Sequence, residues 1–573
     1  MKKVLKCKKT LAILVFALML TAIGTYGFAV VGPDKSEVEK DQTPKKEISK
    51  MYDKNNNKIF ENLEKKLEKA SDKENLPVIV VFKNKPDKNN LKNILGNYKT
   101  KHEYKNIPAI AMELNKGQIK KLTKLDLIEH IEYDEPVRAF NDTANYWFGT
   151  EKARSDFNVE GDKDGSINQY SKYDIVVAVI DTGIDYTHVD LDGSKVIAWK
   201  DYVNGRTTPY DDNDHGTHVA GIIAGEGDGN PDYKGVAEGA ALVGLKVLDK
   251  RGSGSMSDVT AAIDWCVTYK DTYGIDVINL SLGTSSSSDG TDATSLAVNN
   301  AVDNGITVVV AAGNAGPAKY TIGSPGAAEK AITVAAMADV GELGFNLTDF
   351  SSRGPTADGR TKPDVSAPGY NITAPEANSS NGYITYSGTS MATPFTAGTV
   401  ALMLDANPSL SPTEIKNILM NTAEDWGPSG KDIEYGMGRL DGYEAIETAG
   451  NFNGSNLATP NHIYASETLS GSQASDIYEF TVNNTNYPVA VTLIMPNWTS
   501  SWFSTDPDFD VYVYDPSGNT VGSSTTTKRQ ENVNFTPTQT GTYTIEVYSY
   551  SGDGSYFFDL STGGSSLTLT QDQ

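Results

Sequence analysis

The residues best equipped for chemistry lie in four separated stretches of the 573-residue chain. One is Gly388-Thr389-Ser390-Met391-Ala392-Thr393-Pro394, which runs straight into a small-residue and apolar segment from Phe395 to Leu404. A polar, glycine-led turn feeding such a run predicts a buried helix with Ser390 at or near its N-terminus, where unpaired N–H groups and the macrodipole favour negative charge. That setting suits acyl transfer, whose tetrahedral intermediate carries an oxyanion. Taken alone, Ser390 would be an ordinary N-cap serine. The reading changes because Val179-Ile180-Asp181-Thr182-Gly183-Ile184-Asp185, Asp214-His215-Gly216-Thr217-His218-Val219-Ala220-Gly221 and Ala311-Ala312-Gly313-Asn314 supply a carboxylate, an imidazole and a carboxamide.

Together these motifs, in the chain order Asp, His, Ser, resemble the subtilisin-like serine proteases over roughly residues 140–450. A serine hydroxyl is a weak nucleophile at neutral pH and needs a base within hydrogen-bonding reach. The resemblance implies that His215 takes the Ser390 proton and returns it to the leaving amine, while Asp181 holds the imidazole tautomer. It implies that Asn314 donates to the oxyanion beside the Ser390 backbone N–H. The substrate main chain is expected to add as a strand, with Ser281, Leu282 and Gly283 on one flank of the first specificity pocket and Ala311, Ala312 and Gly313 on another. The implied activity is that of a self-maturing serine endopeptidase of broad preference, favouring large apolar or aromatic residues at the cut. A structural Ca²⁺ ion is expected from the same resemblance, with Asp190 as a matching ligand, although the loop from Gly225 to Asp232 departs from the family pattern. No organic cofactor is implied.

His218 does not read as half of a metal pair with His215, because no third Cys, His or Glu accompanies them at ligand spacing. It reads as a packed helix residue. Asp211, Asp212 and Asp214 sit just ahead of the same predicted helix, where they would compensate its dipole.

The elements that must position these residues are continuous apolar runs: 174–180, 241–248, 275–280, 306–312 and 331–336. Runs without alternation imply burial on both faces, as in a parallel sheet covered by helices. Asp181, Ser281 to Gly283 and Gly313-Asn314 all fall at strand ends, where functional residues of such sheets gather. The fold class is therefore α/β for 141–450, a parallel-sheet catalytic domain of the subtilisin-like kind. Ahead of it, 75–140 reads as a small α+β unit resembling the inhibitory propeptide of these proteases, above all in Glu132-Tyr133-Asp134-Glu135-Pro136-Val137. Residues 30–74 read as a polar connector, 451–462 as a linker, and 463–573 as an all-β sandwich with short alternating strands separated by turns.

Residues 1–29 have the order of a secretory signal, basic then apolar then small, and the apolar run from Leu11 to Ile23 is short for the ~20 residues of a membrane span. Export, with no stable span after its removal, is the expectation. The first 140 residues carry a net charge of +9, which leaves −33 on the rest of a chain whose total is −24. So acidic a body argues against nucleic acid as a partner, and none is expected. The expected partners are protein or peptide substrates and the chain's own propeptide as intramolecular inhibitor, in a monomer. Cys266 lies in an apolar helical pattern and reads as a packed small hydrophobe. Two alternatives stay open from the sequence: a processing protease with one narrow target, and a catalytically silent binding protein working through the sandwich.

Overall fold

The computed structural model describes residues 28–30, 57–59, 61–103, 108–133, 144–166, 169–339, 344–455, 460–499, 506–563 and 567–571. The signal reading lies outside these residues apart from Phe28 and Ala29, and so does the propeptide tail beyond Tyr133. Among the described residues no helix is long and apolar enough to cross a membrane. The chain forms two compact units, 39–139 and the remainder.

Strand β1 (Phe28–Val30) belongs to the larger unit. The smaller unit is an antiparallel sheet in the order β3-β4-β2-β5, built from β2 (Asn75–Phe82), β3 (Lys99–Glu103), β4 (Ala109–Asn115) and β5 (Ile128–Tyr133). In β2 the alternate residues Leu76, Val78, Val80 and Phe82 are buried, as the two-residue repeat of a half-covered strand requires. Helices Lys88–Leu95 and Lys116–Leu122 contribute Leu91, Leu95, Ile119 and Leu122 to the same core. A third helix, Glu61–Lys69, corrects the expected connector over 30–74. Leu63 is fully buried in this core and Ile59 bridges to Ile131, so residues 57–69 belong to the folded unit. Its few apolar residues are diluted by Lys and Glu, which hid a one-sided helix in what reads as a solvated stretch.

The larger unit is organised on a seven-stranded sheet. Its strands are β6 (Val176–Asp181), β7 (Val196–Asp201), β8 (Ala241–Lys246), β10 (Ile275–Leu280), β12 (Thr307–Ala311), β13 (Ile332–Met337) and β14 (Val365–Pro368). They pair in the order β14-β13-β12-β10-β6-β8-β7, every ladder parallel. Strand β6 explains its own unbroken apolar run. Val177 and Val179 pack on the layer that holds helices His215–Ala224 and Thr389–Ala406, while Val176, Ala178 and Ile180 pack on the layer of helices Met256–Tyr273 and Ala293–Asp303. Cys266 is fully buried in the second layer, and that burial pushes its thiol up, away from reactivity. From β6 the chain first runs to one side, to β7 and β8, and then crosses to β10 and outward to β14. The direction of winding therefore reverses between β6 and β10, which opens a crevice at their carboxyl ends.

Two short strands, β9 (Ser253–Gly254) and β11 (Leu282–Gly283), flank β1 in a separate small sheet, and a hairpin is formed by β15 (Ile372–Pro375) and β16 (Tyr383–Tyr386). The expected linker is shorter than 451–462 at both ends. Phe452 stacks on Phe157 with ring centroids 4.7 Å apart, and β17 (Asn461–Leu469) already begins at Asn461.

The C-terminal region is the expected sandwich. One sheet orders β17-β24-β19-β22 and the other β21-β20-β23-β18-β25. The strands are β18 (Ser475–Val482), β19 (Val489–Ile494), β20 (Asp508–Tyr514), β21 (Thr520–Ser524), β22 (Gln530–Phe535), β23 (Gly541–Ser551), β24 (Gly554–Thr562) and β25 (Leu569–Gln571). It is joined to the α/β domain by buried charge. Arg529 makes a forked pair with Glu434, and Arg353 Nε lies 2.8 Å from the same carboxylate, all three side chains being shielded from water. Gln530 Nε2 donates to the Leu347 carbonyl at 2.6 Å and Ser561 Oγ to the Phe345 carbonyl at 3.0 Å. Breaking a buried pair leaves an uncompensated charge. Glu434 is the one carboxylate shared by the two guanidiniums, so Glu434→Gln is expected to lower stability by about 3 kcal/mol, read from the urea midpoint, and adding Arg529→Met should recover part of that loss.

Candidate active site

Ser390 is the second residue of the helix Thr389–Ala406, which is buried from Thr389 to Leu404 and packs across β10, β12, β13 and β14. Pro394 lies inside this helix and has no N–H, so the carbonyl four residues earlier, that of Ser390, loses its helical donor. Ser281 Oγ supplies the missing bond at 2.9 Å and itself accepts from Asn279 Nδ2 at 3.0 Å. In return Ser390 Oγ donates to the Ser281 carbonyl at 3.1 Å. The end of β10 and the start of the helix are thereby tied in both directions.

Asp181 is the last residue of β6 and is fully buried. Its Oδ1 lies 2.7 Å from His215 Nδ1 and also accepts the Thr182 N–H at 2.7 Å. His215 opens the helix His215–Ala224, whose approach is fixed by Gly216. The Gly216 N–H donates to Thr182 Oγ1 at 2.8 Å, and a Cβ there would stand 2.1 Å from the Gly183 carbonyl oxygen. With Nδ1 donating to Asp181, Nε2 is the nitrogen that can accept a proton, and it has no hydrogen-bond partner among the described residues. The sequence predicted Ser390 within reach of this base. In this conformation its hydroxyl is turned to the Ser281 carbonyl instead, and catalytic hydrogen bonds of this kind often form only with substrate in place.

Asn314 follows β12. Its Oδ1 accepts from the Thr389 N–H at 3.0 Å and from Thr389 Oγ1 at 2.9 Å, which orients the carboxamide with Nδ2 as its remaining donor end. Thr389 Oγ1 also accepts the Gly313 N–H at 3.2 Å. Ala311 and Ala312 are buried, and Gly313 sits at φ 111°, a left-handed turn that glycine alone adopts without strain. Leu282 and Gly283 form β11, beside which β1 lies antiparallel, Val30 opposite Leu282 and Ala29 opposite Gly283. On its other edge β1 pairs with β9, Ala29 opposite Ser253 and Phe28 opposite Gly254. The groove between β9 and β11 thus has two backbone edges that accept a third strand.

Thr389, Asn279 and the Ser253–Gly254 edge were not singled out by sequence reasoning. Thr389 lies in the serine motif itself, and Asn279 is a polar residue in an otherwise apolar strand end; either could have been flagged. Lys246, at the end of β8, reaches Thr182 O, Asp212 Oδ1 and, at 2.9 Å, Leu248 O. Asp212 is therefore a partner of that buried lysine, while Asp211 serves the helix start through Thr217 N–H and Oγ1 at 2.9 and 2.8 Å.

Asp190, the expected calcium ligand, is held by hydrogen bonds from the chain itself. It is fully buried, its Oδ1 accepts the Gly229 N–H at 2.9 Å and its Oδ2 accepts the Tyr383 hydroxyl at 2.8 Å. The departure of the 225–232 loop from the family pattern has this as its counterpart.

His218 Nε2 bridges the carbonyls of Ile372 and Ile384 at 3.0 and 3.1 Å, pinning the hairpin β15–β16. Burial pushes its imidazole down to about 3.

Comparison with known proteins identifies the parts. The model of the subtilase family matches residues 172–438, that of the Tk-SP N-propeptide domain 54–118, and that of the bacterial pre-peptidase C-terminal domain 474–549. Serine protease AprX of Bacillus subtilis is 42% identical over 294 residues, 48% of this chain and 66% of that protein. A thermophilic serine proteinase of Bacillus sp. strain AK1 is 35% identical over 350 residues, 60% of this chain and 76% of that protein. Subtilisin DY of Bacillus licheniformis is 38% identical over 273 residues, 47% of this chain and 90% of that protein.

The buried His218 gives a pH prediction. Because the folded state holds it neutral, with a value below the ordinary 6.5, unfolding takes up a proton under acid conditions. Its contribution is intact above pH 6.5 and falls by about 1.4 kcal/mol per unit as pH drops towards 3. His218→Gln should flatten the melting temperature against pH in that window.

Proposed function

We propose, from the premise that the chain belongs to the subtilase family, that it is a secreted, self-maturing serine endopeptidase of broad preference. The observation that carries this reading is the 2.7 Å bond between His215 Nδ1 and the buried Asp181 carboxylate, at the crevice where Ser390 begins a buried helix. Ser390 attacks the scissile carbonyl once its hydroxyl turns from Ser281 O to His215 Nε2. His215 takes the proton and passes it to the leaving amine, and Asp181 stabilises the imidazolium in between. Asn314 Nδ2 and the Ser390 N–H hold the oxyanion, with Thr389 keeping the carboxamide the right way round.

Substrate main chain lies between β9 and β11, as β1 does, so affinity comes largely from backbone pairing and tolerates many sequences. The first pocket is flanked by Ser281–Gly283 and Ala311–Gly313 and takes large apolar or aromatic side chains. The unit that contains 57–133 is the inhibitory propeptide. Its removal cuts ahead of Ala144, since Ala144, Trp147 and Phe148 are buried in the catalytic core.

Two experiments test this. The intact mass of refolded precursor should fall with time to a product beginning shortly before Ala144, while Ser390→Ala stays whole; cleavage of both alike, or of neither, sinks the self-maturation reading. In the matured enzyme Asn314→Ala should lower kcat by about 10²–10³-fold, a magnitude taken from the family's own oxyanion asparagine, with KM little changed. A proportionate rise in KM at constant kcat would assign Asn314 to substrate binding instead.

A further inference from the structure

Between the helix Thr150–Phe157 and β6 the chain makes a loop that the mechanism does not use. It carries Asp162, Asp164 and, two residues before β6, Asp174. One carboxylate oxygen from each of the three can be chosen so that all lie within 4.8 Å of one another. That is the span of two ligands each about 2.4 Å from a shared ion, the usual Ca²⁺–oxygen distance.

An acidic cluster by itself would mean little, but Asp174 is only 2% exposed, and its Oδ1 is buried with no hydrogen-bond donor among the described residues. Its Oδ2 is already fixed by the Ser171 N–H at 2.7 Å. The Asp174 carboxylate sits beside like charge: burial and the neighbouring carboxylates of Asp164 and Asp162 push it up to about 6. Among the described residues no ammonium or guanidinium lies within ion-pair distance of any of the three. The nearby Lys195 is committed to the Glu238 carbonyl at 2.6 Å and to Glu226 at 3.5 Å. An anionic oxygen held in place without a donor, beside two more carboxylates, requires either a proton or a cation.

The loop is also held ready. Asp162 Oδ1 accepts the N–H groups of Gly165 and Ser166 at 2.8 and 3.2 Å, and Asp164 Oδ1 accepts that of Ser166 at 2.9 Å. Upstream, Asp405 near the end of the Ser390 helix accepts the Glu160 and Gly161 N–H groups at 2.8 and 3.0 Å. The carboxylates therefore need little reorganisation to receive an ion. Ser171 Oγ, 3.4 Å from Asp164 Oδ2, adds a further oxygen at the rim.

We infer that Asp162, Asp164 and Asp174 form a calcium site that clamps the loop leading into β6, and so steadies the strand that ends in Asp181. This is a different place from Asp190, and it does not depend on the catalytic reading.

The test uses the full chain carrying Ser390→Ala, stripped with EGTA and titrated with CaCl₂ by calorimetry, alone and with Asp174→Asn or Asp162→Asn added. Each variant should bind one ion fewer than the parent. Asn keeps the oxygen that accepts the Ser171 N–H but removes the buried charge. In EGTA the Asp174→Asn chain should therefore melt at or above the parent, and in millimolar CaCl₂ the order should reverse. Equal ion counts and equal calcium-dependent shifts in the parent and both variants would overturn the site. So would the same stabilisation from MgCl₂, since the assignment is to calcium. If Asp174→Asn fails to fold, the half-exposed Asp162→Asn decides the matter alone.

Discussion

The rest of the structure depends on one exchange at the head of a buried helix. Pro394 deprives the Ser390 carbonyl of its helical partner, and Ser281 at the end of β10 fills the gap while taking the Ser390 hydroxyl in return. An unsatisfied carbonyl in so dry a place would cost about 1–3 kcal/mol. The proline therefore acts as a register pin: the helix can sit comfortably only where a hydroxyl donor meets its first turn. That places Ser390 against β10, and because β10 and β12 are neighbours it brings Asn314 within reach of Thr389.

Around this contact the sheet does the remaining positioning. Winding reverses between β6 and β10, so the carboxyl ends of two adjacent strands bring Asp181 and Ser281 to one crevice although a hundred residues separate them in sequence. Packing on both faces leaves the strands no freedom to tilt, and residues at their ends inherit that rigidity. The His215 helix then needs only to be close. Gly216 permits this, since any side chain there would collide with Gly183.

How much of this was legible in the sequence follows from the range of the forces involved. The parallel sheet was readable because double-sided burial writes itself as unbroken apolar runs, and the meeting of His215 with Asp181 and of Asn314 with the serine motif was readable because those motifs carry the glycines and small residues that tight approach demands. The Glu61–Lys69 helix was missed because one buried Leu63 among lysines and glutamates gives a weak pattern. The surroundings of Asp190 were hidden for a different reason. Its matching position suggested a ligand, but its actual partners, Tyr383 and the Gly229 N–H, come from 193 and 39 residues away in sequence. The acidic loop at 162–174 gave no signal for the same reason, since only the fold reveals that Asp174 is buried with an oxygen that no donor among the described residues reaches.

Long-range charge also decides what the C-terminal sandwich is to this protein. Glu434 and Arg353 belong to the α/β domain and Arg529 to the sandwich. With Arg529 present, burial pushes the Glu434 carboxyl up but the two guanidiniums pull it below its ordinary value, so it stays ionised. Asp559, from the sandwich, is buried against the Gly427 N–H, and its carboxyl is pushed up to about 7 by that burial. A joint that buries ions is a poor design for a part that comes and goes, because each separation must rehydrate charges whose partners stay behind. It is a good design for fixing one orientation, since a guanidinium fork meets a carboxylate in few geometries. The sandwich is thus better understood as a wall of the folded enzyme than as a passenger on a tether, and any surface it offers to substrate is held in a fixed relation to the Ser390 crevice.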